Sequence, residues 1–307
     1  MLISASQANY LRAVLLALAA LPMAAAIDPN PEPVSIYVNV EKNGGLITGL
    51  TQGNFRLYED GKAQPFRMEK PEEPASIALL AEYSRSSGYF LEDIDAAMSG
   101  LLKHAQEGHW YALATFSHNL EIHTDFTKQI GLLTDSYSKL GVPTWNEIDT
   151  YEAVYDMVDK LGRLPGRRIL VVVGSGLDTF SEHSLDDVKK KVEAENVTIF
   201  VAGAGSAFRT SYDAYLDSSS RMSLLQAQAF LRMLADKSGG FAWFPNHPNG
   251  FPDVMKGIMQ SIATQYRLVY DAPTRGSGKF HKIKVEAFRI VNDKREDFKV
   301  LVREGWR

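Results

Sequence analysis

Cysteine is absent from the 307 residues. Disulfides, thiolate nucleophiles and cysteine zinc sites are thereby excluded, and cysteine usage leaves the redox compartment open. An excess of positive charge is missing too: 33 Lys and Arg stand against 37 Asp and Glu, for a formal net charge of -4. With no basic field to draw in a phosphate backbone, nucleic acid is not an expected partner. Long apolar runs are scarce. The N-terminal one, Ala13 to Met23, falls well short of the ~20 residues that span a bilayer, and no other stretch is a candidate. No internal repeat or low-complexity segment stands out. What is present, 45% hydrophobic and 23% charged residues, is the composition of an ordinary globular protein, long enough for one sizeable domain and a smaller one.

The N-terminus speaks to compartment. Met1 to Arg12 carries one basic side chain and no acidic one, an apolar run follows, and Ala24-Ala25-Ala26 offers small residues for a cut after Ala26. That order is a secretory signal peptide over 1–26, with an uncleaved anchor as the alternative. The expectation is an exported protein, periplasmic or extracellular, with no membrane span once the signal is removed. Pro29, Pro31 and Pro33 make the next residues a linker, since proline removes donors and restricts its neighbours.

Two kinds of patterning follow. Val34 to Val40 and Asn54 to Tyr58 alternate apolar and polar residues around the Asn43-Gly44-Gly45 and Asp60-Gly61 turn signals, and Ala63 to Met68 reads as a third strand. From Pro74 the grammar changes. Continuous apolar runs at 76–81, 110–116, 168–173 and 197–202 read as strands covered on both faces. Helical spacing occupies 91–104, 153–161, 185–194, 224–235 and 251–263 between and after them. The alternation predicts an α/β fold with a doubly wound, mostly parallel sheet over 74–265. Residues 266–307 return to β patterning, and we expect them to pack with 27–73 into a small β-rich accessory sandwich, because isolated strand pairs are marginal alone. The polar segment 206–221 reads as a binding loop or a disordered one.

The first buried strand runs into Glu82-Tyr83-Ser84-Arg85-Ser86-Ser87-Gly88, at the strand end where α/β sheets bind ligands. This stretch resembles the D-x-S-x-S loop of von Willebrand factor A domains. Thr115-Phe-Ser-His-Asn119 with Asp125-Phe-Thr127, Thr150 with Ala153 to Asp156, and Val171 to Thr179 resemble, in order, the later segments of the same domains. Leu50 to Gly61, Leu234 to Phe244, Gln265 to Tyr270, Gly278 to Ile283 and Arg303 to Trp306 look like the VWFA-related family common in Acidobacteria. The resemblance implies a Rossmann-like fold, a protein-binding or scaffolding role without catalysis, and a divalent-cation adhesion site of two aspartates, two serines and a threonine.

Here Ser84, Ser86 and Thr150 match that set, but Glu82 and Ser175 stand at the aspartate positions. Mg²⁺ or Mn²⁺ needs close, near-octahedral oxygen ligands, so the expectation is a degenerate site with no bound cofactor. Asp178 or Asp149 are the substitutes if metal does bind, and metal-dependent adhesion through Glu82-x-Ser84-x-Ser86 is the alternative. Tyr83, Arg85, Tyr89, Trp145, Tyr212 and Tyr215, with Tyr151 and Phe208, are candidates for contact with an unidentified protein ligand, since aromatic and arginine side chains favour interfaces. A hydrolase built on Ser175, Asp178 and His183 lacks the G-x-S-x-G elbow. His118 and His123, at odd spacing on a strand, are expected on opposite faces rather than in one zinc site.

Overall fold

A computed structural model describes residues 33–274 and 277–307. The expected signal peptide over 1–26 and all of the proline linker except Pro33 lie outside the described residues. Residues Pro33–Arg307 form one compact unit. Among the described residues, no helix is long and apolar enough to cross a membrane.

The α/β layer begins with β6 (Ser76–Glu82), followed by α1 (Leu91–His104), β7 (Trp110–Phe116), β8 (Leu120–Thr127), α2 (Ile130–Ser138) and α3 (Thr150–Gly162). It continues through β9 (Arg168–Gly174), α4 (Leu185–Ala194), β10 (Val197–Gly203), α5 (Ser206–Tyr212), α6 (Ser218–Ser238), β11 (Ala242–Trp243) and α7 (Phe251–Thr264). The sheet order is β11-β10-β9-β6-β7-β8. Neighbours from β11 to β7 run parallel, and β8 lies antiparallel at the edge.

The apolar runs are explained by what covers them. Successive strand residues point to opposite faces, and both faces are buried here. Ile77, Leu79, Ala81, Ile169, Val171 and Val173 pack under α1 and α7. Ala78, Leu80, Leu170 and Val172 pack under α3, α4 and α6. With each buried aliphatic side chain contributing roughly 1.5–3 kcal/mol, a polar residue at either parity would be costly, which is why no alternation survives in the sequence.

The remaining strands form an antiparallel sheet: β1 (Val34–Lys42), β2 (Gly45–Leu46), β3 (Phe55–Glu59), β4 (Lys62–Gln64), β5 (Arg67–Glu69), β12 (Tyr266–Tyr270), β13 (His281–Val291), β14 (Lys294–Val302) and β15 (Gly305–Trp306). The two ends of the chain do pair, β1 lying between β12 and β14 and β3 beside β13. They make one nine-stranded sheet rather than the small sandwich expected, built on its own core of Ile36, Val38, Phe55, Leu57, Leu268 and Trp306. Pro65 splits the strand expected over 63–68 into β4 and β5, three residues each; a proline cannot donate to a ladder. The segment expected to be a loop at 206–221 is helical: α5, a 3-10 turn at Asp213–Tyr215, and the first turn of α6. Asp217 accepts a hydrogen bond from the Ser220 amide at 2.7 Å and starts α6 at Ser218, ahead of the apolar spacing read from Leu224.

Candidate functional site

Glu82 closes β6, and its neighbour in the sheet, β9, ends at Gly174. The Glu82 side chain crosses this gap and is fully buried. It fits only because Gly174 has no Cβ; one placed there would stand 2.8 Å from the carboxyl oxygen and 2.9 Å from the Glu82 Cβ. Oε2 accepts from the Ser175 amide and from the Ser175 hydroxyl, both at 2.7 Å. Oε1 accepts from the Ser87 hydroxyl at 2.5 Å. Ser87 is carried inward by the 3-10 turn Ser86–Tyr89, where its amide donates to Ser84 Oγ at 3.1 Å and the two hydroxyls meet at 2.9 Å. Since Ser87 spends its proton on Glu82, the Ser84 hydroxyl donates to Ser87. The result is a hydrogen-bonded chain, a circuit running Ser84 to Ser87 to Glu82, met at Glu82 by Ser175 from the end of the neighbouring strand.

Of the oxygen donors expected to converge, the structure brings together Glu82, Ser84 and Ser175. Ser86 is exposed on the outside of the turn. Thr150 is buried, but its hydroxyl donates to the Leu177 carbonyl. Asp178 accepts from the Tyr151 amide at 2.9 Å and the Ser181 hydroxyl at 2.6 Å, which spends it on the orphan amides at the start of α3. Asp149 is held by His118 Nδ1 at 3.0 Å and by the Thr179 hydroxyl and Phe180 amide at 3.2 and 3.1 Å. Ser87, the residue that binds Glu82 directly, was missed in the sequence; its one signal is a hydroxyl three positions after Ser84, the spacing of a side-chain-capped turn.

The loop before α3 lies over this circuit. The Tyr83 hydroxyl donates to the Gly141 carbonyl at 2.8 Å, and the Arg85 amide to the Trp145 carbonyl at 2.7 Å. Between them is a cleft of about 130 Å³ lined by Tyr83, Thr115, Glu121, His123 and Trp145. A second aromatic group sits where α5 meets the turn: Phe208 lies 5.2 Å from Tyr89, 5.6 Å from Phe90 and 4.9 Å from Tyr212 between ring centroids. Tyr89, Tyr212 and Tyr215 are 78%, 52% and 86% exposed, so this surface is available to a partner. Tyr151 instead packs on Phe230 at 4.5 Å. Phe180, 73% exposed, is an aromatic at this end of the sheet that patterning did not single out.

The hydrolase constellation does not assemble. Ser175 donates to Glu82, while His183 is bound through Nδ1 to Glu152 at 2.8 Å and stacks on Tyr155 at 3.7 Å. His118 and His123 have separate partners, Asp149 and Thr115.

Burial raises the Glu82 pKa above its ordinary value, against the opposing hydrogen bonds from Ser87 and Ser175. A carboxyl raised on folding adds stability that is fully present below its unfolded pKa and is lost as pH rises through the folded one. Glu82→Gln keeps the shape without the charge. Its stability at pH 7 is expected within about 1 kcal/mol of the parent, with a flatter pH dependence above about pH 5. Urea denaturation across that range measures both. A loss beyond about 2 kcal/mol at neutral pH would show that the ionised carboxylate is what the fold requires.

No protein-family model matches the chain, and no curated protein matches it in sequence. Solved structures do align with it. An aerotolerance-related membrane protein from Bacteroides fragilis, carrying multiple mutations to serine, is 12% identical, with 61% of this chain and 98% of that chain covered and a TM-score of 0.47. A von Willebrand factor type A protein from Catenulispora acidiphila is 9% identical, with 90% and 75% covered and a TM-score of 0.47. The vWF domain of the type V pili tip protein Mfa5 from Porphyromonas gingivalis is 12% identical, with 63% and 96% covered and a TM-score of 0.46.

Proposed function

We propose that this chain is an exported, non-enzymatic protein-binding module of the von Willebrand factor A type, akin to the VWFA-related proteins, whose adhesion loop binds no cation. The observation that carries this reading is the burial of Glu82. Mg²⁺ takes oxygen ligands at ~2.0–2.1 Å and keeps several waters. The Glu82 carboxyl instead takes its hydrogen bonds from Ser87 and Ser175, out of contact with solvent. The extra methylene of glutamate reaches across the gap that an ion would fill, and the serine opposite supplies donors rather than charge. Partner contact then falls to the exposed side chains beside the loop: Tyr89, Tyr212 and Tyr215 on one side, Arg85 and Trp145 on the other. The aromatic rings offer large, rigid contact area at low entropic cost, as interface anchors do. The ordered resemblance of the strand-end segments and the sheet order with its antiparallel edge support the family reading.

Calorimetric titration with MgCl₂ and MnCl₂ is expected to give no heat that depends on Glu82. A saturable isotherm abolished by Glu82→Ala would restore metal-dependent adhesion through Glu82, Ser84 and Ser86; binding that survives this substitution arises elsewhere. On intact cells, cross-linking to the protein ligand is expected to persist in EDTA and to fall at least about tenfold in Tyr89→Ala/Tyr212→Ala, the loss of two anchors.

A further inference from the structure

Far from that loop, Glu59 at the end of β3, Asp60 in the turn after it and His281 at the start of β13 meet at one corner of the antiparallel sheet. One donor atom from each lies within 4.8 Å of the other two. His281 and Asp60 are each held at the far atom, and Glu59 at the oxygen that faces His281. His281 Nε2 meets the Ser277 hydroxyl at 2.5 Å, while Nδ1 faces Asp60 Oδ2 at 2.7 Å and Glu59 Oε1 at 3.8 Å. Asp60 Oδ1 accepts from the Lys282 amide at 2.8 Å. Glu59 Oε1 accepts from the Thr274 hydroxyl, while Oε2, on a side chain only 2% exposed, has the Tyr270 hydroxyl near its carboxyl but no well-formed hydrogen bond among the described residues. A buried carboxylate oxygen left without a donor is costly and uncommon. Pairing His281 with Asp60 alone does not relieve it.

We propose that Glu59, Asp60 and His281 bind a divalent transition-metal ion, with zinc the best match, as a clip between the N-terminal and C-terminal strands of the sheet. Two carboxylates and one imidazole, with water in the fourth position, suit a four-coordinate borderline ion at ~2.0–2.2 Å; Glu59 must draw inward, while His281 Nδ1 and Asp60 Oδ2, 2.7 Å apart, open to about 3.3 Å to admit it. The neutral His281 ring then keeps its proton on Nε2, donating to Ser277 Oγ, and offers the Nδ1 lone pair to the metal. The unpartnered Glu59 oxygen gains the cation it lacks. The corner is also where β13 pairs with β15, His281 opposite Trp306 with their rings 5.2 Å apart, so the ion fastens the last strand of the chain as well.

The test uses the 307-residue chain stripped with EDTA and titrated with ZnCl₂ by calorimetry and with CoCl₂ by visible absorption. One zinc per chain is expected, with a Tm increase of about 5 °C at 100-fold excess over Kd, and cobalt bands of a four-coordinate site. Asp60→Asn and His281→Gln are each expected to weaken zinc at least about tenfold. Asp60 holds a left-handed conformation, φ 49°, ahead of Gly61; asparagine accepts that geometry, so the metal-free Asp60→Asn protein is expected to melt with the parent. Glu82→Gln is expected to leave zinc binding unchanged. No zinc bound at micromolar concentration, or affinity within twofold of the parent in both corner variants, overturns the proposal.

Discussion

Replacing Gly240 by alanine is expected to lower Tm by about 6–10 °C, the equivalent of roughly 3 kcal/mol or more in a chain of this size. Gly240 follows the end of α6, where the chain turns back against the sheet. A Cβ built there would stand 1.9 Å from the Ile199 carbonyl oxygen and 2.7 Å from its carbonyl carbon. Both are backbone atoms in the middle of β10, which is held in register with β9 from Val197 to Gly203. No side chain can swing aside to make room. Either β10 leaves its ladder, or the turn withdraws and takes the end of α6 with it. Differential scanning calorimetry of Gly240→Ala measures the effect, and a Tm within about 2 °C of the parent would mean that the turn yields far more freely than its contacts indicate.

The second large effect is at Arg303, where Arg303→Met is expected to cost about 3–5 kcal/mol. The guanidinium is 5% exposed and joins the two halves of the protein. Nε donates to the Gly305 carbonyl at 2.7 Å, Nη1 to Asn196 Oδ1 at 3.0 Å, and Nη2 to the Glu193 and Glu195 carbonyls at 2.9 and 3.3 Å. The last two belong to the end of α4, where helical carbonyls lack partners and the dipole favours a cation. Desolvation pushes the guanidinium pKa down to about 10, so it stays charged at neutral pH. Methionine fills the space but leaves several buried acceptors unmet. Lysine carries the charge without the planar fork, and Arg303→Lys is expected to recover less than half of the loss. Urea denaturation of the three proteins decides it; a methionine variant within about 1 kcal/mol of the parent would mean that water takes over these carbonyls.

The strands and helices of the α/β layer were legible because burial on both faces writes a long unbroken signal, as in Arg168–Gly174, and because Leu91–His104 presents one continuous apolar stripe. The helix Ile130–Ser138 was not legible. It buries only Leu133, so a surface turn of helix leaves almost no periodicity to read. Segment 206–212 was misjudged for a related reason: among its residues only Ser206 is buried, and its helix is stabilised by the packing of Phe208 on Phe90. In the candidate site, the positions of Glu82 and Ser175 were read from the strand ends, whereas the destinations of their side chains were not. Whether Ser86 or Ser87 turns inward depends on the 3-10 geometry of a four-residue turn, and the reach of Glu82 depends on the missing Cβ of Gly174 on another strand. The Glu59–Asp60–His281 corner was invisible because its members come from opposite ends of the chain.

Pairing between those ends also sets an order of events during synthesis. The strand Val34–Lys42 is made early, yet its ladder partners are Tyr266–Tyr270 and Lys294–Val302. While the parallel layer is still being made, that strand has only the two-residue hairpin partner Gly45–Leu46 beside its end, and non-local pairing of this kind is slow to nucleate. Residues 76–264, by contrast, can assemble through local crossovers. The antiparallel sheet is therefore expected to form last, and a polypeptide released without its final strands would expose the hydrophobic inner surface of the first one, inviting aggregation.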